Sequence, residues 1–314
     1  MSETKTKWDS IVSAEALSRV KALRSKAFVE SKERRVALPE LVEEGWEEYK
    51  NYKNDKFVGV RKSKRFDELF EDRVWCLFAR LGFTHMNKDR FFEMSYDYQN
   101  PNLTQQIDVF AADDETVIIV ECKAAETIKD GNFKKPLEAF HGQMDGLRRE
   151  AQKKFPKAKV KFIWATQNFI ITPADQERMR EWGIIHFNDA VVNYYYELVK
   201  HLGTCARYQL LGNLFANQEI RNMDDKIPAI QGEMGGHKYY SFSIEPERLL
   251  KIGYVLHRNE ANKNMMPTYQ RLIKKKRLTD VQKFINDGGE IVLVEVDHTD
   301  QAVTDLAVGL LALD

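Results

Sequence analysis

Apolar positions change their spacing several times along the chain, and each change marks an element. Trp8, Ile11, Ala14, Leu17 and Val20 recur every third residue, which predicts a charged amphipathic helix within residues 1–35 that serves as a packing or oligomerisation arm. In Phe66–Phe83 the stripe Leu69, Val74, Leu77, Phe78 and Leu81 predicts a strong helix stopped by Gly82. FFEMSYDY and QQIDVFAA then read as strands. After the polar turn DDET, the strand VIIVECKA carries a run, Val117–Val120, apolar on both faces, as in a central strand covered from both sides. A helix around Pro136–Phe155, a strand Val160–Thr166, a helix ADQERMREWG, a strand Ile184–Phe187 and a helix capped by Asp189 follow. This βββαβαβ order predicts an α/β fold, a mixed sheet flanked by helices. Residues 204–235 lose periodicity and read as a linker. Beyond them KYYSFSI reads as a strand, and PERLLKIGYV and TYQRLIKKKRLTDVQKFINDGG as helices, forming a smaller C-terminal α/β unit over 236–314. Residues 1–60 read as a helical extension and 61–203 as the main domain.

Composition adds little except by exclusion. With 43% hydrophobic and 31% charged residues, the 314-residue chain can build a sizeable core. Three scattered cysteines, Cys76, Cys122 and Cys205, predict neither a zinc site nor a disulfide framework, and fit a reducing cytoplasm. The polar start is no secretory signal, and the longest apolar run, Leu306 to Leu313, is too short to span a bilayer. Net charge is zero, but its distribution is uneven. Residues 51–65 hold Lys53, Lys56, Arg61, Lys62, Lys64 and Arg65 against Asp55. A second basic stretch runs through Arg148, Arg149, Lys153, Lys154, Lys157, Lys159 and Lys161, and a third covers Arg271 to Arg277. A solvated face explains any one of them. The first two also flank, in sequence, the acidic residues below, an arrangement that suits a polyanion held against carboxylates. Arg61, Lys62, Lys64, Arg65, Arg148, Arg149 and Lys153 are therefore the candidate DNA contacts.

Phosphodiester hydrolysis needs carboxylates to hold Mg²⁺ or Mn²⁺ and a cation to orient water and stabilise phosphate charge. Glu121 and Lys123 are two apart on a strand and so share a face. If Asp113–Thr116 is a four-residue loop, Asp108 lies opposite Glu121, with Cβ atoms about 5 Å apart. A three-residue loop would send Asp108 to the other face. Glu-x-Lys recurs at Glu3-Lys5, Glu30-Lys32 and Glu48-Lys50, but there in polar segments; only Glu121-Lys123 ends a buried apolar strand. The backbone carbonyl of Cys122 is a further candidate ligand, while the Cys122 side chain points to the opposite face and reads as core.

The order Phe70-Glu71, Gly82-Phe83, Ile107-Asp108, Glu121-Cys122-Lys123 resembles Mrr-type restriction endonucleases and the wider PD-(D/E)xK nuclease superfamily over roughly residues 60–200. The resemblance implies a restriction-endonuclease-like fold, DNA as substrate and Mg²⁺ or Mn²⁺ as cofactor. It also implies a helix glutamate completing the metal site, here Glu71, with Glu68 and Asp72 as surface alternatives. Gln143 in FHGQMDGL matches the glutamine many relatives carry on the helix after the lysine strand; an ordinary polar helix residue is the other reading. Ile107 stands where the motif's proline would be. After residue 235, YSFSIEPERLLKIGYVLHRN and the helix that follows resemble the front of DGQHR-domain proteins, which include DndB-like proteins. The Asp-Gly-Gln-His-Arg signature itself is absent. Tyr269, Gln270 and Arg271 fit phosphate or protein contact, or a solvated face. This second resemblance implies a prokaryotic defence or DNA-modification setting, with protein partners of such a system; a homodimer is a separate expectation that fits an N-terminal oligomerisation arm. The expected activity is that of an endodeoxyribonuclease; a DNA-binding regulatory module without cleavage is the alternative.

Overall fold

The computed structural model describes residues 7–215, 228–234, 237–243, 283 and 295–296. It is a mixed α/β structure that divides into two compact units, 1–192 and 193–314. No helix among the described residues is long and apolar enough to cross a membrane.

The first unit begins with a 3-10 turn, Lys7–Ser10, and helix α1, Ala14–Arg24. Trp8 packs edge-on or tilted against Phe92, Phe110 and Phe155, which fixes the N-terminal segment to the core. The helix does not run on to residue 35, and residues 1–60 are not a helical extension. Phe28–Arg34 is strand β1, antiparallel to β3, Phe57–Ser63, whose other edge takes β2, Glu47–Asn51. The residues of β1 have ordinary helix propensity, yet pairing with distant β3 overrides it, as tertiary context often does. A short helix α2, Leu38–Glu43, links β1 to β2.

Helix α3, Phe66–Arg80, buries Phe70, Val74, Trp75, Leu77 and Phe78, and Gly82 follows with φ of +89°, the left-handed position expected of a helix stop. Strands β4 (His85–Met86), β7 (Val109–Ala112), β8 (Thr116–Gly131), β9 (Lys159–Ile171) and β10 (Ile184–Phe187) make the central sheet in the order β10-β9-β8-β7-β4. The β8, β9 and β10 pairings are parallel, whereas β7 is antiparallel to both β8 and β4. The two strands expected before the DDET turn are present but shorter: FFEMSYDY supplies β5 (Glu93–Ser95), which pairs with β6 (Thr104–Gln106) in a small hairpin, and QQIDVFAA is divided between β6 and β7.

Val117, Ile118, Ile119 and Val120 are all fully buried. Val117 and Ile119 face a cluster with Leu137, Phe140, Met144 and Leu147 of α4, Lys134–Lys154, while α3 packs against β7 and β8. Alternation then gives Ile118, Val120 and Cys122 to the α3 side. At Gly146 an added Cβ would lie 1.6 Å from the Tyr96 carbonyl oxygen, so only glycine lets α4 approach the backbone beside the β5–β6 hairpin this closely. Helix α5, Pro173–Glu181, connects β9 to β10.

Helix α6, Asp189–Leu202, is capped by Asn188, whose Oδ1 accepts from the Val191 amide; Asp189 instead accepts from the Asn168 amide. Residues 204–235 are not all linker, because Ala206–Leu214 forms α7, burying Ala206, Leu210 and Leu214. Strand β11 (Ile230–Met234) pairs with β12 (His237–Ser241), and β12 with β13 (Glu295–Val296). The two helices expected beyond residue 243, with Tyr269, Gln270 and Arg271, lie outside the described residues.

Candidate functional site

Asp113 sets the geometry of the candidate site from a distance. Its Oδ1 accepts from the amides of Glu115 and Thr116 at 2.9 and 2.7 Å, closing a four-residue turn, Asp113–Thr116. The turn fixes the ladder from Ala112↔Val117 to Val109↔Val120. Asp108 and Glu121 are the next residues beyond the paired ladder. There the chain bends between β6 and β7, and the Asp108 carboxylate takes over where the ladder stops. Its Oδ2 accepts from the Cys122 amide at 2.7 Å. Asn87, fully buried, holds the bend from the other side. Its Nδ2 donates to the Asp108 and Asp89 carbonyls, its Oδ1 accepts from the Phe110 amide at 3.0 Å, and Trp75 Nε1 of α3 donates to its carbonyl. Asn87 is thus a positioning residue.

On β8, Glu121 and Lys123 share the face of Val117 and Ile119. Lys123 Nζ donates to Glu121 Oε1 at 2.6 Å and lies 5.7 Å from the centre of the Trp164 ring on β9. Cys122 is buried, and burial chiefly pushes its thiol well above the usual range, which suits packing and not nucleophilic attack.

Electrostatically the cluster is short of positive charge. Burial, then the charges of Glu121 and Glu71, push Asp108 up to about 8. Glu71 is likewise raised, mainly by burial and against the pull of Arg90. Its Oε2 lies 3.1 Å from Arg90 Nε but makes no hydrogen bond there: the pair is close in distance and poor in direction. For Lys123 burial works downward, but Glu121 more than offsets it and the ammonium ends above its ordinary value.

Arg90 also contacts Glu68 Oε1 at 2.7 Å and Asp72 Oδ2 at 3.2 Å. Asp72 is no surface residue. It is buried and held by Arg24 and Lys64, each at 2.8 Å. Glu68 is partly buried, and its Oε2 accepts from the Arg65 amide. Of the three neighbouring acids on α3, Glu71 is the one with a carboxylate oxygen lacking a hydrogen bond.

The structure therefore brings Asp108, Glu121, Lys123 and Glu71 into one electrostatic neighbourhood. Gln143, half-buried on α4, makes no hydrogen bond to any of them. Among the described residues, no three His, Cys, Asp or Glu side chains stand together in metal-ligating geometry. The chemistry of the donors nonetheless fits a hard cation: Asp108 and Glu71 are both pushed towards neutrality, Glu71 also keeps an oxygen without a hydrogen bond, and both would gain from a divalent charge.

Several candidate DNA contacts are committed elsewhere. The Lys64 side chain is only 7% exposed and donates to Asp72 and to the Leu23 and Arg24 carbonyls. Lys62 donates to the Glu44 carbonyl. Arg61 pairs with Glu47 at 2.6 Å and lies over Phe28. Arg65 is exposed and pairs with Asp67. Arg148 bonds Asp145 and covers Phe162, Arg149 is exposed, and Lys153 pairs with Glu150. Lys159 is level with Thr116, five residues back along β8 from Glu121, or about 16 Å. The far end of the second basic stretch thus does not flank the carboxylates.

Sequence reasoning missed Asn87 and Arg90. Neither stands in a recognisable motif; their importance comes from partners more than ten residues away.

No protein-family model matches the sequence, and no curated protein matches it. Among solved structures, protein VC1899 from Vibrio cholerae is similar at 14% identity and a TM-score of 0.28, over 60% of this chain and 50% of that one. The match spans half of that protein's length, and a likeness this slight carries no argument about fold or function.

Proposed function

We propose that the chain is a divalent-metal-dependent endodeoxyribonuclease with a restriction-endonuclease-like sheet, of the PD-(D/E)xK type that its motifs resemble. The observation that carries this reading is the convergence of charge at the end of the β7–β8 ladder. Asp108 Oδ2 accepts from the Cys122 amide at 2.7 Å, Lys123 pairs with Glu121 at 2.6 Å, and burial with the charges of Glu121 and Glu71 pushes Asp108 up to about 8. Ionisable groups are costly in such a place unless they serve a site.

Asp108, Glu121 and Glu71 would hold Mg²⁺ or Mn²⁺, with the Cys122 carbonyl a further ligand. The bound ion would supply Lewis-acid activation of water and neutralisation of phosphate charge. Lys123, released from Glu121, would orient the attacking water and stabilise charge growing on the phosphate oxygens. Asn87 keeps the Asp108 backbone in place, and Arg90 restrains Glu71 without satisfying it. Gln143 would have to change rotamer to support the site.

The test is plasmid cleavage with Mg²⁺ or Mn²⁺. Asp108→Ala and Lys123→Ala should each lower the rate about 10²- to 10⁴-fold. Undiminished cleavage in both variants removes these residues from the mechanism.

One observation favours a second reading, a DNA-binding regulatory module of a modification or defence system. Lys123 neutralises Glu121 directly, as a metal ion otherwise would. A metal-independent gel shift with no nicking would select it.

A further inference from the structure

The sheet β1-β3-β2 carries an array that the nuclease reading does not use. Strand pairing puts Phe28, Glu30, Lys32 and Arg34 of β1 on the same face as Phe57, Gly59 and Arg61 of β3. On the other face Val58 and Val60 are fully buried, so the first face is the outward one. β2 adds Tyr49 and Lys50: a Cβ at Gly59 would meet Lys50 Cβ at 2.8 Å and the Tyr49 ring at 3.2 Å. Tyr52 follows two residues after Lys50.

Cations and rings alternate across this face. Lys32 Nζ lies 4.8 Å from the Tyr52 ring centre and 4.6 Å from that of Phe57. Lys50 lies 5.2 Å from Tyr52. Arg61 sits between Phe28 and Tyr49, at 4.4 and 5.8 Å. The two acids on the face are each held by a cation at 2.6 Å, Glu30 by Lys26 and Glu47 by Arg61. Lys32, Arg34 and Lys50 pair with no carboxylate among the described residues. The face thus has a surplus of positive charge set between aromatic rings.

We propose that this outward face binds single-stranded nucleic acid, with bases stacking on Tyr49, Tyr52 and Phe57 and phosphates meeting Lys32, Arg34 and Lys50. An exposed cation–ring contact is weaker than a base–ring stack. Exchanging one for the other also frees each lysine for the phosphate next to the stacked base. A duplex hides its base faces and would use the cations alone, whereas an unpaired strand uses both components. An acidic protein would likewise meet the cations while leaving the rings without a role. The proposal deepens the nuclease reading by naming an unpaired segment as the form of substrate held, and its binding test needs no metal ion.

The experiment is fluorescence anisotropy of the full chain with labelled 20-nucleotide single strands, DNA in one arm and RNA in another, and a duplex of the same sequence, all in EDTA. Tighter binding of one single-stranded arm identifies its source; either arm exceeding the duplex supports the proposal. Tyr52→Ala should weaken single-strand binding about five- to tenfold, with little change for the duplex. Tyr52→Phe should restore it, which a lost fold would not allow. Lys32→Ala with Lys50→Ala should reduce the slope of log K against log salt by about 1.4. Equal affinity for duplex and single strands, an unchanged Tyr52→Ala, or equally effective displacement by polyglutamate overturns the proposal. A parallel plasmid reaction with Mg²⁺ or Mn²⁺ separates the two readings: single-strand binding in EDTA by a wild type that leaves the plasmid uncut with either metal would sink the nuclease and spare the platform.

Discussion

The fork between β7 and β8 and the three-stranded sheet ahead of it treat charge in opposite ways. At the fork the charges are few, buried and short of partners: Asp108 is pushed up to about 8, and Glu71 has an oxygen without a hydrogen bond. On β1-β3-β2 they are many, exposed and met by rings, carbonyls or carboxylates. Density of charge along the chain therefore says little about chemistry. What shifts proton affinity is convergence, where elements distant in sequence carry carboxylates to one largely buried place, as with Asp108 and Glu71.

The contrast can be broken most forcefully at Lys64, which sequence alone groups with the exposed basic stretch. Lys64→Ala leaves buried Asp72 with Arg24 and Arg90 only, and should destabilise the protein by about 3 kcal/mol. Its neighbour Arg65→Ala should change stability by less than about 0.5 kcal/mol. Urea melts of the two variants check the pair; similar losses would mean that burial does not distinguish them.

A smaller effect, opposite in sign, is expected at the fork. The Asp108 carboxyl holds its proton more tightly folded than unfolded, where its ordinary value is about 3.9. Its contribution to stability is full below about pH 4 and is lost as pH rises towards about 8. Asp108→Asn stays neutral throughout and retains an acceptor for the Cys122 amide. In metal-free buffer at pH 8 the variant should be more stable by an amount on the order of 1–3 kcal/mol, with the advantage vanishing near pH 4. Thermal melts across that range measure it, and a variant less stable at pH 8 would show that Asp108 is well compensated.

Local signals made much of the fold legible. The apolar run Val117–Val120, the Gly82 stop and the strand Ile184–Phe187 each carry their own pattern, and the structure has them in those places. The four-residue turn Asp113–Thr116 was legible too, and with it the ladder from Ala112↔Val117 to Val109↔Val120, because a turn's length fixes register. What could not be read depended on distant partners. Phe28–Arg34 becomes a strand only because Phe57–Ser63 returns beside it. Asn87 and Arg90 look like ordinary loop residues until Phe110, Asp108 and three acids of α3 close around them. Lys64 and Asp72 look like surface charges for the same reason.

Titrating Mn²⁺ into the metal-free protein by calorimetry, beside Asp108→Asn and Glu121→Gln, probes the carboxylates themselves without substrate or turnover. Saturable binding by the wild type, weakened about 10-fold or more in each variant, is the expected result. Equal Mn²⁺ affinity in all three proteins, or none in the wild type, would contradict the assignment of these side chains as ligands.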